Sequence, residues 1–262
     1  MIATNRYGAL SPICGRNRYR MDLNMSNKLE NAQVLVIGGS SGIGLATAAA
    51  AAQAGATVTI ASRSKAKLDT ALGSIRGTGR AVILDTHDQS ALERFFQAEA
   101  PWDHVVISAA QTPTGPVRTL SLADASAAME SKFWGAYRVS RAARIKEGGS
   151  LTFISGFLSV RPSASAVLQG AINAALEALA RGLALELAPV RVNAVSPGLI
   201  ATPLWSGMAE EQREAMFASA AAHLPARRVG QPQDVANAVL FLATTPFATG
   251  STVRVDGGGA IA

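Results

Sequence analysis

Val34-Leu-Val-Ile-Gly38-Gly-Ser40-Ser41-Gly42-Ile43-Gly44 is the stretch that decides the reading of this chain. Four apolar residues, Val34 to Ile37, form a short strand pattern. Glycine and serine then break it, and an Ala-rich helical pattern runs from Gly42 to Ala54. A strand feeding a Gly-rich turn that opens a helix is suited to holding a phosphate. Glycines let the backbone approach a ligand closely, and the free N–H groups and positive end of the helix favour an anion. The spacing is G-x3-G-x-G rather than the G-x-G-x-x-G of the dinucleotide fingerprint.

Outward from this turn, apolar strands alternate with helical patterns. Strands are expected over 34–37, 56–61, 80–84, 103–108, 150–154, 190–195 and 251–255. Helices are expected from a Ser64 N-cap to 75, over 89–98, from a Ser121 cap to Lys146, from Ser163 or Ser165 to Ala188, and over 232–243. Strands that are apolar on both sides imply a parallel sheet covered on both faces. The fold class is therefore α/β, a single doubly wound domain with about seven strands. Ligands in such sheets bind beyond the carboxyl ends of the strands, here Ile37, Ser62, Asp85, Ser108, Ser155 and Ser196.

Composition fits one domain: 262 residues, 48% hydrophobic. The apolar runs are too short for the ~18 residues of a membrane span. A single cysteine, Cys14, excludes internal disulfides and cysteine metal clusters. His87, His104 and His223 are scattered, so no metal site is expected. Of the formal net charge of +6, half lies in residues 1–24, where Arg6, Arg16, Arg18 and Arg20 stand against Asp22. Residues 1–27 read as a basic, disordered leader without the apolar core of a secretory signal. A transit peptide has similar composition; an upstream start, with Met25 as the functional one, accounts for it more simply. The domain is expected over 28–262, in the cytoplasm. Without a Lys/Arg cluster, nucleic acid is not an expected partner.

The seven residues from Gly38 to Gly44, following an apolar strand, resemble the cofactor loop of the short-chain dehydrogenase/reductase family. The resemblance extends from about Lys28 to the C-terminus. Ile37 stands where the family usually has a bracing Thr. Asp85-Thr86 is similar to the pair that faces the adenine amine, and Ser108-Ala109-Ala110 stands where the family has Asn-Ala-Gly. Ser196-Pro197-Gly198-Leu-Ile200-Ala-Thr202 resembles the segment holding the nicotinamide end, and Val255-Asp256-Gly257-Gly258 the C-terminal signature. The implied cofactor residues are Gly38, Ser40, Ser41, Gly42, Ile43, Ser62, Arg63, Asp85, Thr86, Ser108, Ala109, Ala110, Pro197, Gly198, Ile200 and Thr202. Enzymes that prefer NAD place Asp or Glu about 20 residues beyond the glycines. This chain has Ser62-Arg63 there, a hydroxyl and a guanidinium that suit a 2′-phosphate, so NADP(H) is favoured over NAD(H).

The family's catalysis uses Tyr, Lys, Ser and Asn. Counting back from Val192–Gly198 places the Tyr position at Gln169 and the Lys position at Asn173. The Ser position falls at Gly156, beside Ser155, and the Asn position at Lys132. Amides donate and accept hydrogen bonds but do not deliver protons at neutral pH. Lys132, near the apolar side of its helix, is a candidate acid or base if buried; alternatively its stem packs and its ammonium reaches water. Tyr137-x3-Arg141 mimics the Tyr-x3-Lys pair on another helix, where a packing or subunit contact is expected. Residues 199–226 read as a mobile lid whose Leu204, Trp205, Met208, Met216 and Phe217, with Phe157 and Leu158, would line an apolar substrate pocket. The leading expectation is an NADP(H)-dependent oxidoreductase acting on a carbonyl or alcohol of a small apolar substrate, with an altered site. The alternatives are a pseudoenzyme binding NADP(H) as sensor or scaffold, and a non-redox lyase or isomerase using Lys132. A homo-oligomer, dimer or tetramer, is expected because the helices at 121–146 and 165–188 are Ala-rich and the family pairs the matching helices between subunits.

Overall fold

The computed structural model describes residues 29–262, so the leader lies outside the described residues. Seven strands form one parallel sheet in the order β3-β2-β1-β4-β5-β6-β7. They are β1 (Gln33–Ile37), β2 (Thr57–Ser62), β3 (Gly79–Ile83), β4 (Trp102–Ile107), β5 (Ile145–Ile154), β6 (Arg191–Pro197) and β7 (Thr252–Val255). The helices are α1 (Gly42–Gln53), α2 (Lys65–Ser74), α3 (Gln89–Ala98), α4 (Leu122–Met129), α5 (Gly135–Ala142), α6 (Val167–Glu186), α7 (Glu210–His223) and α8 (Pro232–Thr244).

Successive strand side chains point to opposite faces, and β1 shows what that does here. Val34 and Val36 join one core with Ala48 and Ala51 of α1, Leu68 of α2 and Val239 and Leu242 of α8. Leu35 and Ile37 join the other, with Leu92 and Phe96 of α3, Val139 of α5 and Leu176 and Ala180 of α6. A strand apolar at every position is what a sheet covered on both faces requires. The order reverses between β1 and β4, which opens the crevice where such folds bind ligands.

Two elements depart from expectation. The helix expected to reach Lys146 ends at Ala142, and β5 begins at Ile145 rather than Ser150. Ile145 pairs with Trp102, and the register then shifts so that Ser150 faces His104. Gly148, at φ 76°, and Gly149 form this bulge; a Cβ on Gly149 would lie 2.4 Å from the Asp103 carbonyl oxygen. The pair of glycines thus marks a bulge within a strand, not the stop after a helix. Second, neither Ser163 nor Ser165 caps α6. Their hydroxyls bond each other at 3.0 Å, and Ala166 takes the N-cap position. Where capping was expected at Ser64 and Ser121, it occurs: each hydroxyl accepts a backbone N–H from the first turn, of Lys67 and of Asp124.

Within the long helix expected after Ser121, Glu130–Trp134 forms a π-helical turn between α4 and α5. Lys132 lies at its centre and is 7% exposed. Wide turns of this kind are frequent at functional sites.

Candidate active site

The cradle forms where β1 and β4 end side by side. Gly38, at φ 85°, donates its N–H to the Ala61 carbonyl at 2.8 Å. A Cβ there would lie 2.4 Å from the Ala109 nitrogen, and one on Gly44 would lie 2.1 Å from the Gly38 carbonyl oxygen. Both positions therefore exclude any side chain. Ser41 is the N-cap of α1, yet its side chain makes no capping bond, and the first turn holds no acid. The first N–H groups of α1 are left to meet an anion. Gly42, at φ 53°, abuts the Thr202 side chain, which brings the segment after β6 against the cradle. Ser108 continues β4 by donating its N–H to Ile37 O at 2.8 Å.

The end of β2 supplies the next group. The Ser62 hydroxyl is buried without a partner. Exposed Arg63 donates to Gln111 Oε1 at 2.9 Å, across the crevice, and no described carboxylate forms an ion pair with it. Asp85 accepts from the His87 backbone N–H at 3.0 Å and meets His87 Nδ1 at 2.7 Å. Burial alone would raise its pKa, but the His87 bonds and the Arg63 charge prevail and hold it below the usual carboxylate value. Thr86 is buried, and its hydroxyl crowds Gly135 at the start of α5. These features fit a phosphate-bearing dinucleotide: an anion cradle that admits only glycine, then a hydroxyl and a guanidinium with no acid partner among the described residues.

Beside the cradle, Lys132, Ser155, Gly156 and Asn173, four of the five residues counted to the catalytic positions or beside them, meet at the end of β5. Lys132 Nζ donates to the Ser155 carbonyl at 2.8 Å and to Asn173 Oδ1 at 2.7 Å. Ser155 Oγ donates to Glu177 Oε1 at 2.9 Å, and Ser159 Oγ donates to the same oxygen at 2.7 Å. Asn173 and Glu177 stand one turn apart on the buried face of α6. Burial pulls the Lys132 ammonium down from 10.5 to about 8, partly countered by the Glu177 carboxylate. Gly156 lies against the Asn173 amide, since a Cβ there would be 2.7 Å from Nδ2. Gln169 is not hydrogen-bonded into this group; its Oε1 is buried without a partner. Lys132 therefore does not extend to water, the alternative its sequence context left open. Glu177 is the residue missed by sequence reasoning. Its signal was an acid four residues beyond Asn173, in a run of apolar residues.

Pro197 ends β6, and Gly198 follows so closely that a Cβ would be 2.7 Å from Asp256 Cα. Ile200 pairs with Gly230, and Trp205 Nε1 donates to the Ile200 carbonyl at 2.9 Å. The segment expected to act as a lid carries α7, in which no residue is fully buried. Of its apolar set, Leu204 is exposed, while Trp205, Met208, Met216 and Phe217 are half-buried. Tyr137 and Arg141 are exposed on α5, away from the Lys132 cluster.

A doubly wound sheet with a Gly-restricted anion cradle at its reversal point, and a polar cluster beside it, defines a nucleotide-binding α/β protein. The chain belongs to the short-chain dehydrogenase/reductase family. A family model described as enoyl-(acyl carrier protein) reductase matches residues 38–259. The short-chain dehydrogenase/reductase ATR9 of Stachybotrys chlorohalonatus is 36% identical over 250 residues, spanning 88% of this chain and 97% of that protein. A small-chain dehydrogenase solved in complex with NADPH is 33% identical, with a TM-score of 0.74, over 89% of this chain and 100% of that one. A short-chain oxidoreductase from Pseudomonas aeruginosa PAO1, described as containing an atypical catalytic center, is 29% identical, with a TM-score of 0.80, over 87% and 96%. Among the described residues, no helix is long and apolar enough to cross a membrane, and no cluster of His, Cys, Asp or Glu is arranged to hold a metal ion.

Proposed function

We propose that this protein is an NADP(H)-dependent oxidoreductase that interconverts a carbonyl and an alcohol on a small, largely apolar substrate, with its proton chemistry centred on Lys132. The observation that carries this reading is a buried ammonium, bonded to Ser155 and Asn173, beside a dinucleotide cradle. The bound cofactor supplies or accepts the hydride. The Gly38–Ile43 loop, with Ser40 and Ser41, takes the pyrophosphate. Ser62 and Arg63 take the 2′-phosphate. Asp85, Thr86, Ser108, Ala109 and Ala110 border the adenosine half, and Pro197, Gly198, Ile200 and Thr202 the nicotinamide half. The NADPH complex of a 33%-identical relative supports the choice of cofactor.

In the reductive direction the substrate carbon gains a hydride and its oxygen gains a proton. The counted positions leave amides at 169 and 173, and neither replaces a phenol as acid. Lys132 has three N–H donors, two of them committed. The third is uncommitted and holds the proton that is passed to the substrate oxygen as the hydride reaches its carbon. General acid catalysis of this kind is worth roughly 10²–10⁴-fold. The relative with an atypical catalytic center supports an altered site within an otherwise intact fold.

The test couples binding to turnover. The wild type is expected to bind NADPH at least about tenfold tighter than NADH, and Arg63→Ala to erase the difference while sparing NADH. NADPH oxidation over a panel of aldehydes and ketones is expected to be slow but measurable, and Lys132→Ala to abolish it. Equal affinity for both cofactors would remove the 2′-phosphate assignment. NADPH binding without turnover on any carbonyl would favour the pseudoenzyme reading.

A further inference from the structure

The Lys132–Asn173 contact constrains more than the lysine. An ammonium only donates, so the amide must turn its oxygen toward Nζ. Its nitrogen is then forced to the opposite side, and the structure places Nδ2 above Gly156. No described residue accepts a hydrogen bond from Nδ2, and although Asn173 as a whole is 2% exposed, Nδ2 is not among the fully enclosed unpartnered polar atoms. The N–H groups on that nitrogen are therefore uncommitted and available to an acceptor from outside the chain. Any side chain at 156 would begin 2.7 Å from that nitrogen, so the glycine leaves the space that the amide fills. On the other side, Ser155 is fixed by Glu177, and its carbonyl takes a second N–H from Lys132. The ammonium is held at two points, and the amide orientation is held by the ammonium.

We infer that Asn173 Nδ2 is the hydrogen-bond donor that polarises the substrate carbonyl oxygen, and that Lys132 is the positioning residue that aims it. This inference rests on the oxidoreductase reading above. A fixed N–H aimed at a carbonyl that becomes an alkoxide stabilises the transition state more than the ground state. Removing one such donor costs on the order of 10²–10³-fold in kcat. Gly156 has a matching part: it keeps open the volume from which the amide acts.

Asn173→Asp separates this role from a structural one. The aspartate has the same shape and pairs with Lys132 at least as well, so packing and the melting temperature are expected to hold. It presents oxygen instead of N–H to the substrate, so kcat for an activated aldehyde with NADPH is expected to fall by about 10²-fold, with a smaller change in KM. A readout independent of turnover is the infrared C=O stretch of 13C-labelled isobutyramide, an inert carbonyl, bound in the presence of NADPH. The band is expected to shift to lower frequency in the wild type and to return in Asn173→Asp. Lys132→Met leaves the donor but frees the amide, so the band is expected to split into shifted and unshifted populations. Gly156→Ser drives the amide from its place and is expected to lose the shift, which covers the case where Asn173→Asp fails to fold. A shifted band with no turnover on any carbonyl keeps the donor and removes the oxidoreductase reading. Turnover unchanged in Asn173→Asp, an unshifted wild-type band, or no bound probe overturns the inference.

Discussion

At the scale of single residues, Lys132 has consequences that titration exposes. Its ammonium is disfavoured in the fold by burial, and the pKa falls from 10.5 to about 8. Between those values the unfolded chain holds a proton that the folded chain has lost, so stability rises with pH across that window. Below about 8 both states are protonated, and the folded state bears the full cost of the buried charge. Urea unfolding of the wild type at pH 7.5 and 9.5 is expected to show a gain that Lys132→Met lacks. If Lys132 is the proton source, reductive turnover is expected to fall over the lower part of the same window, as pH rises through about 8. A pH profile of kcat, with rates flat to pH 9.5, would separate the proton source from this lysine.

The residue scale also shows where sequence reasoning reached its limit. The glycines at 38 and 44 were legible because a strand precedes them and a helix follows, the setting of a phosphate-holding turn, and the structure finds no room for a Cβ at either. The meeting of Lys132 with Ser155, Gly156 and Asn173 came from counting positions against a family pattern. What the count could not supply was direction: that Lys132 points inward, and that the amide's oxygen and nitrogen take opposite sides. Glu177 escaped notice because one acid on a helix reads as a surface residue until its partners are known.

Among elements, β4 and β5 are joined by more than their ladder. His104 Nδ1 lies 2.9 Å from Ser150 Oγ across the register that follows the bulge. Burial, with Arg191 nearby, lowers the pKa of this histidine from 6.5 to about 4. The unfolded chain therefore takes up a proton near pH 6.5 that the folded chain refuses until about 4, and stability from this site is lost as pH falls through that range. His104→Gln removes the titration, so its urea midpoint is expected to fall less than that of the wild type between pH 7 and 5. Equal losses would show that other groups govern acid stability. The strand pattern that located β4 was clear in sequence, since His-Val-Val-Ile-Ser is apolar on both faces. The start of β5 was not. Gly148-Gly149 is the same signal whether a chain leaves a helix or bulges within a strand, and only the partner strand decides.

For the whole molecule, the covered sheet accounts for the apolar content, but not for every aromatic group. Trp134 and Tyr137 are 43% and 42% exposed and meet edge to face at 5.7 Å on the outer side of the π turn and α5. We propose that this face pairs with a second copy, as the Ala-rich helices suggested. Sedimentation at micromolar concentration is expected to give a dimer or tetramer, and Trp134→Glu to shift it toward monomer with an unchanged far-UV spectrum. A monomeric wild type would count against pairing. The parallel sheet followed from strand and helix alternation; its strand order, with the reversal between β1 and β4, is supplied by the structure.

The wide turn at Glu130–Trp134 has one more implication. Rings closed by i→i+5 bonds enclose one more residue than i→i+4 rings, so this stretch carries a spare residue between two helices anchored on the sheet. Loss of one residue from an ordinary helix such as α6 rotates everything beyond it by about 100°. Loss of one from 130–134 is instead expected to let α4 and α5 fuse into a single regular rod, with the buried Ala128 and Val139 kept in place. A one-residue deletion there is expected to keep the far-UV spectrum and the fold, and to change the bearing of the lysine. In this protein the aim of an ammonium is set by the length of the chain as much as by the identity of the residue.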